Sequence, residues 1–415
     1  MIHPSTNRWR ILGLTALTVG LVIGVPSMSL SVLFGEISAE LHLDLVQVGL
    51  IWGIGALTAI FTGFLSGAVI DRFGPKRVLQ TGIVLVSLAA AARGLAGGFH
   101  SLLAIILVLG CFVPLVTTSG FKMNSLLFPR RQLGLANGIQ STGMASGLLL
   151  GSLFSASVFS PLLGGWRNVF LFHGGLALLL VLPWRFIHLA PSALSSDGEA
   201  VPHVPMRQAL GHVAGIRNMW RLGLAFFGLG GCLQGIAGYL PLYLRGLGWE
   251  GGAADGALSL FNAASLVCIL PIALLSDRLG SRKTLMTVGL TVMAAGTGRL
   301  SAAAGGAIWP AVVLAGAMRD GSASMGLTMA AETEGVGPLY AGTATGMVMT
   351  FFFIGNLLSP PVGNMLAGIA PGAPFVFWAI LAVFGLASLL SIRTPSAAGR
   401  ADVFEESRTG AAATR

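Results

Sequence analysis

A block built around aspartate–arginine occurs twice, half a chain apart, between stretches that are almost wholly apolar. The first copy reads Gly67-Ala68-Val69-Ile70-Asp71-Arg72-Phe73-Gly74-Pro75-Lys76-Arg77, and the second Ala273-Leu274-Leu275-Ser276-Asp277-Arg278-Leu279-Gly280-Ser281-Arg282-Lys283. Asp71 and Asp277 are 206 residues apart, and Arg93 and Arg299 keep the same offset. Duplication of a unit of several helices is the simplest origin of such a register. Duplicated membrane units with a site between them are the architecture of carriers.

The medium follows from charge. Only 9% of the residues are charged and 54% are hydrophobic, against about 25% charged in ordinary soluble domains. So few charges cannot cover a soluble globule, so the solvent is a bilayer. Apolar stretches long enough for its ~30 Å core fall at 10–34, 46–70, 78–97, 101–125, 134–157 and 167–189, then at 219–244, 254–276, 284–303, 307–330, 341–366 and 373–392. The expected fold is all-α, with twelve transmembrane helices in two six-helix bundles, 1–189 and 217–393. A Ser/Pro/Gly-containing cytoplasmic linker at 190–216, with a short surface helix from Met206, joins them, and a disordered tail follows at 394–415. The first apolar run has no small-residue cleavage pattern after it and reads as a retained span.

The net charge of +9 reads as topology, not as a nucleic-acid surface. With the N-terminus inside, 18 of the 24 lysines and arginines fall in inner segments, and only Arg167 and Arg245 fall in outer ones. The positive-inside rule therefore puts both termini in the cytoplasm of a multi-pass protein of the cytoplasmic (inner) membrane. Cys111, Cys232 and Cys268 lie in apolar stretches without metal-ligand spacing, so neither a metal nor a disulfide is expected. No Walker loop, HExxH or nucleophile–base pair is present, so no ATP-driven step, no enzymatic chemistry and no cofactor are expected.

The first block fits G-x-x-x-D-R-x-G-x-[KR]-[KR] and the second departs from it at Ala273, where the first has Gly67; both resemble the loop between helices 2 and 3 of the major facilitator superfamily, repeated in both halves. Phe128 to Ile139 similarly resembles the approach to helix 5, and Trp166-Arg167-Asn168-Val169-Phe170 the start of helix 6. The resemblance spans about residues 10–392. It implies a monomeric secondary carrier working by alternating access, with helices 1, 4, 7 and 10 around a central cavity. It also implies that Asp71 locks the cytoplasmic side in the outward-open state. Drug antiporters of the superfamily carry Gly-Pro-x-x-Gly-Gly within helix 5. Here Pro161-Leu162-Leu163-Gly164-Gly165 abuts Trp166, outside the expected helix, which weighs against drug efflux.

The residues have their own mechanics. Gly67 leaves room for a neighbouring helix, and Gly74 suits a positive-φ turn. Asp71 sits at a helix C-terminus, where the dipole disfavours it, so it should seek a cation or another helix's N-terminus. With Arg72, and with Asp277 and Arg278 in the second copy, these are the expected gating residues. Glu332 joins them, with Arg278, Arg282 or Lys283 as partner.

Arg319 and Asp320 are the sharpest site candidates. Twelve residues into helix 10 at ~1.5 Å each puts Arg319 ~18 Å deep. A charge there costs about 2.5–3.5 kcal/mol even on the lenient scale, so it must face protein or water. Adjacent helical residues point about 100° apart, which makes direct pairing of the two awkward. Arg319 is read as the holder of a small anion, and Asp320 as a proton carrier or as the residue that orients the arginine. Gln234, Asn262, Asn356, Thr117 and Thr118 are further polar groups in the spans, each either ligand or helix–helix glue. Arg93, Arg299 and Lys122 are expected to snorkel to the interfaces. The partners are then a small anion, protons and lipid. Two alternatives stand: efflux of amphipathic or cationic compounds through Asp320, and a transporter-like solute sensor.

Overall fold

The computed structural model describes residues 4–187, 205–279 and 281–392. Among these the structure is helical, with no strand. The spanning elements are labelled in chain order. α1 (Arg8–Leu41) is continuous through a π turn at Gly20–Gly24. α2 (Leu45–Phe73), α3 (Pro75–Ala92), α4 (Phe99–Leu127), α5 (Arg130–Phe154) and α6 (Trp166–Leu179) follow. Then come α7 (Arg217–Gly246), α8 (Gly251–Leu279) and α9 (Arg282–Leu300). α10 consists of two pieces, Ile308–Ala317 and Arg319–Glu332, and α11 (Gly337–Leu366) and α12 (Ala373–Leu390) complete the set. Of the expected linker, Met206–Gly215 is a short helix whose His212 stacks on Tyr340 and bonds the Gly335 carbonyl at 2.7 Å. Segment 190–204 and the tail 394–415 lie outside the described residues.

Ten of the described helices are long and apolar enough to cross a membrane. The two expected spans outside that set are α9 and α10. α9 opens on Arg282 and Lys283 and carries Arg299, while α10 is interrupted at Met318 and carries Arg319, Asp320 and Glu332. Polarity separates α9 from the rest, and α10 is set apart also by its break into pieces of 10 and 14 residues.

Local signals set the joints. Asp44 caps α2 through a reciprocal box: the Gln47 amide donates to Oδ1 at 2.7 Å, and the Asp44 amide donates to Oε1 of Gln47 at 3.1 Å. Gly74 makes the α2–α3 turn at φ +84°, and Pro75 starts α3.

Small residues set the packing. Gly20 and Gly24 of α1 face Gly143 and Gly147 of α5, so closely that a Cβ on Gly147 would fall 2.3 Å from the Gly20 carbonyl oxygen. Lipid offers no hydrophobic drive between helices, so backbone-to-backbone contact of this kind holds the bundle.

Residues 4–187 and 217–392 meet along α2–α11 and α5–α8. Among the described residues, the hydrogen bonds between them lie toward the end remote from the chain termini. Trp52 and Gln234 exchange bonds: Trp52 Nε1 donates to the Gln234 carbonyl (2.7 Å) and Gln234 Nε2 to the Trp52 carbonyl (3.1 Å). Asn364 donates to the Leu45 carbonyl (2.8 Å), and Ser31 to that of Ala237. Toward the termini end, Gly63, Gly67, Gly134, Gly138 and Gly342 have no atom within 4 Å of a Cβ position, and Phe61, Leu65 and Leu135 are exposed.

Candidate functional site

The site is built on the break in α10. At Met318 the backbone leaves helical geometry (φ −99°, ψ 4°), and a new helix starts at Arg319. A helix start exposes amide hydrogens and a positive dipole end. Ser265 of α8 answers the first: its Oγ accepts from the Asp320 amide at 3.2 Å and donates to Asp320 Oδ2 at 2.8 Å. The Asp320 carboxylate, in the first turn, suits the second.

Arg319 and Asp320 pair directly. Nε donates to Oδ1 at 3.0 Å and Nη2 to Oδ2 at 2.9 Å. This corrects the expectation that neighbouring helical positions point too far apart to meet. The long arginine starts the second helical piece and folds back along it, so the fan of an unbroken helix does not apply. Nη1 donates to Asn262 Oδ1 at 2.7 Å, and the guanidinium lies 5.5 Å from the Phe261 ring centroid. A guanidinium has five N–H groups. Three are engaged, which leaves one on each terminal nitrogen, a fork suited to two oxygens of one anion. The Arg319 side chain is 9% exposed and that of Asp320 32%. The guanidinium is therefore enclosed in protein, and the carboxylate is the more open face of the pair.

Asn262 also reaches the other half: its Nδ2 lies 3.3 Å from Ser152 Oγ of α5 and 3.1 Å from its own Leu258 carbonyl. Ser259, one turn before Asn262, donates to the Asp255 carbonyl at 2.8 Å and lies 3.1 Å from Ser152 Oγ. Asp255, Ser259, Asn262 and Ser265 follow each other at spacings of four, three and three, the mark of one helical face. Sequence reasoning named only Asn262 of these four. That spacing is the signal that exposes the other three.

The remaining candidates lie elsewhere. Gln234 is bonded at the Trp52 seam. Asn356, with its amide nitrogen turned toward them, donates to the Gly230 and Phe352 carbonyls at 2.9 and 3.3 Å. Thr117 bonds back to the Val113 and Pro114 carbonyls, each at 3.4 Å, and Thr118 accepts from Ser66 at 3.3 Å. All four act as glue between or along helices in this conformation.

At the termini end, Asp71 finds Lys122 of α4 at 3.2 Å, so that lysine is held by an ion pair instead of merely reaching an interface. Arg72 lies over Phe73, and no helix approaches Gly67, contrary to the close contact expected there. Glu332 pairs with Arg282. The side chains of Asp277 and Arg278 lie outside the described residues. Both ion pairs are half-exposed, so their net contribution to stability is small, about 0–1 kcal/mol. We expect Lys122→Ala to leave the melting temperature almost unchanged in a thermal-unfolding measurement; a large drop would show that the pair is structural.

Arg93 departs most from expectation. It does not snorkel but is buried, donating to the Ala90 and Pro26 carbonyls (3.2 and 2.9 Å) with its guanidinium 4.3 Å from the Phe170 ring centroid. α3 ends at Ala92, and the 3₁₀ turn that follows directs the side chain back into the bundle. Arg299 is exposed, as a snorkelling side chain would be.

Comparison with known proteins places this geometry. The sequence profile described as Major Facilitator Superfamily matches residues 14–265 and 252–414. A Thermus thermophilus protein named probable nitrate/nitrite antiporter NarK1 is 28% identical over 306 residues, 70% of this chain and 66% of that one. The 3-(3-hydroxy-phenyl)propionate transporter of Escherichia coli K12 is 25% identical over 406 residues, 95% of this chain and 98% of that one. The crystal structure of a bacterial homologue of the human lysosomal transporter Spinster, inward-facing and unoccupied, superposes with a TM-score of 0.78 at 18% identity, covering 94% of this chain and 99% of that one.

Proposed function

Because the chain belongs to the Major Facilitator Superfamily and is a multi-pass membrane transporter, we propose that it carries a small organic or inorganic anion by alternating access, with Arg319 holding the anion. The observation that carries this reading is the enclosed guanidinium with two unspent N–H groups at the break in α10. A cation kept within the span at a cost of a few kcal/mol marks a functional position. The two relatives are named for nitrate or nitrite and for a phenylpropionate, solutes that all present a planar pair of oxygens. That edge fits the fork.

Under the positive-inside orientation both termini are cytoplasmic and α9 and α10 complete twelve spans of a cytoplasmic-membrane protein. The parted end then faces inward. The two six-helix bundles rock about the Arg319 level, and the protein works as a monomer. When the inner side closes, Asp71 exchanges Lys122 for a partner in the other bundle, with Gly67 and Arg72 at the contact. Asp277 and Arg278 do the same in the second copy. Glu332 and Arg282 belong to this gate. Glu332→Arg should shift the inward/outward balance, read as cysteine accessibility along α5; an unchanged pattern removes Glu332 from the gate.

Protons enter through Asp320. While ionised, it occupies the Nε/Nη2 edge of Arg319. Protonation weakens that hold and frees the edge, so proton and anion bind together and neutralise each other in the span. Asp320→Asn mimics the protonated form. It should keep anion exchange between the two faces while uptake loses its response to an imposed pH gradient. Gradient-driven uptake that survives in Asp320→Asn would exclude this acid as the coupling site.

A second reading has one observation in its favour. Asp320 is the more exposed member of the pair, which suits efflux of a cationic compound by proton antiport. Counterflow in proteoliposomes separates the readings. The anion carrier accelerates labelled nitrate or 3-phenylpropionate into vesicles loaded with the same anion, and leaves tetraphenylphosphonium unaffected. The reverse result selects the cation reading, and binding without counterflow marks a sensor.

A further inference from the structure

We propose that the Asn262–Ser152 hydrogen bond is a latch through which occupancy of Arg319 releases the seam between the two halves at the remote end. This rests on the anion reading of Arg319 and adds the residue by which that site is heard across the molecule.

The polarity of the chain of bonds makes the argument. The guanidinium can only donate, so Asn262 must turn Oδ1 toward it (2.7 Å). That choice, together with the bond from Nδ2 to the Leu258 carbonyl (3.1 Å), turns Nδ2 toward Ser152 Oγ, 3.3 Å away in the other half. Ser152 in turn donates to the Leu149 carbonyl of its own helix at 2.9 Å, leaving a lone pair for Asn262. Donors and acceptors thus run head to tail from Arg319 to the backbone of α5, and each bond polarises the next. All three α8 and α5 partners are buried: Asn262 and Ser152 fully, and Ser259 at 4% exposure. No water competes for them while the seam is closed.

In this arrangement the seam is latched. An anion drawing the Arg319 fork toward itself pulls Nη1 off Asn262. The amide then keeps only the Leu258 carbonyl (3.1 Å) to orient it, loses the charged partner that fixed Oδ1, and the buried bond to Ser152 weakens. A ligand shifts a conformational equilibrium only through different affinity for the two states. Here the closed seam costs the anion a share of Arg319, and the parted seam does not. Binding therefore favours parting at the remote end.

The test uses the full-length chain in nanodiscs, with Cys111, Cys232 and Cys268 replaced by alanine. Spin labels sit on cysteines at His42 and Glu250, exposed positions on either side of the seam. In this background, nitrate or 3-phenylpropionate should raise the long-distance population measured by pulsed dipolar spectroscopy. Ser152→Ala should raise the long-to-short ratio roughly three- to tenfold without any anion, the size of effect of one buried hydrogen bond. Added anion should then change little. Ser157→Ala in the π-helical turn Ser155–Phe159 that continues α5, with its hydroxyl bonded to the Leu153 carbonyl, should behave as the parent. If Ser152→Ala is indistinguishable from Ser157→Ala while the parent still responds to anion, the latch is wrong and the anion reading stands. If Ser152→Ala opens the seam but neither anion shifts the parent or binds it in calorimetry, latch and anion reading fail together.

Discussion

Arg319→Gln is expected to abolish anion counterflow, lowering kcat/KM by at least about two orders of magnitude. Two charge-assisted bonds to the substrate are lost, each worth about 1.5–3 kcal/mol. The variant also strands Asp320, since removing one partner of an enclosed pair leaves an uncompensated charge at a cost of about 3–5 kcal/mol. Two companions separate these effects. Arg319→Gln/Asp320→Asn removes both charges and should melt higher than Arg319→Gln alone, yet remain inactive. Arg319→Lys keeps the charge but loses the fork, so it should transport with a raised KM. Flux assays and thermal unfolding on the same preparations check all three. Anion counterflow that persists in the double variant would sink Arg319 as the anion site.

Away from the charged pair, a large effect on stability is expected at Gly147. Valine there places a Cβ 2.3 Å from the Gly20 carbonyl oxygen and 2.7 Å from Gly20 Cα. The neighbour is backbone, so no side chain can swing away, and α1 and α5 must separate. Overpacking of this kind costs about 1–3 kcal/mol and at times more. Gly143→Val meets Ala16 backbone at 2.3 Å and should behave alike. Gly138→Val, on the same helix with nothing within 4 Å, is the control and should melt like the parent. Thermal unfolding in one detergent compares them, and equal stability of Gly147→Val and Gly138→Val would refute the contact.

The helices were legible because span length and hydropathy answer to one physical requirement, the thickness of the apolar layer. The α2–α3 turn was legible because Gly74 and Pro75 leave the backbone few choices. Arg319 and Asp320 stood out because charge at that depth is costly. Their mutual pairing was not legible, since it depends on the break at Met318, a residue with no breaker chemistry. Ser265 and Ser152 were hidden for a different reason. A serine in a span bonds its own helix as readily as a partner, and only the packed neighbour decides. Arg93 was misjudged because a long cation near a helix end suits either outcome, and Phe170 and the Pro26 carbonyl, distant in sequence, decided it.

The interruption of α10 bears on how the protein is made. A segment carrying an arginine and an aspartate at its centre enters the bilayer reluctantly on its own. Here the groups that welcome it, Asn262 and Ser265, reside on α8 and are synthesised first. α8 therefore serves as a docking template already in place when α10 leaves the ribosome's exit tunnel. A chain stripped of that polar face would be vulnerable during biogenesis, before any solute is ever moved.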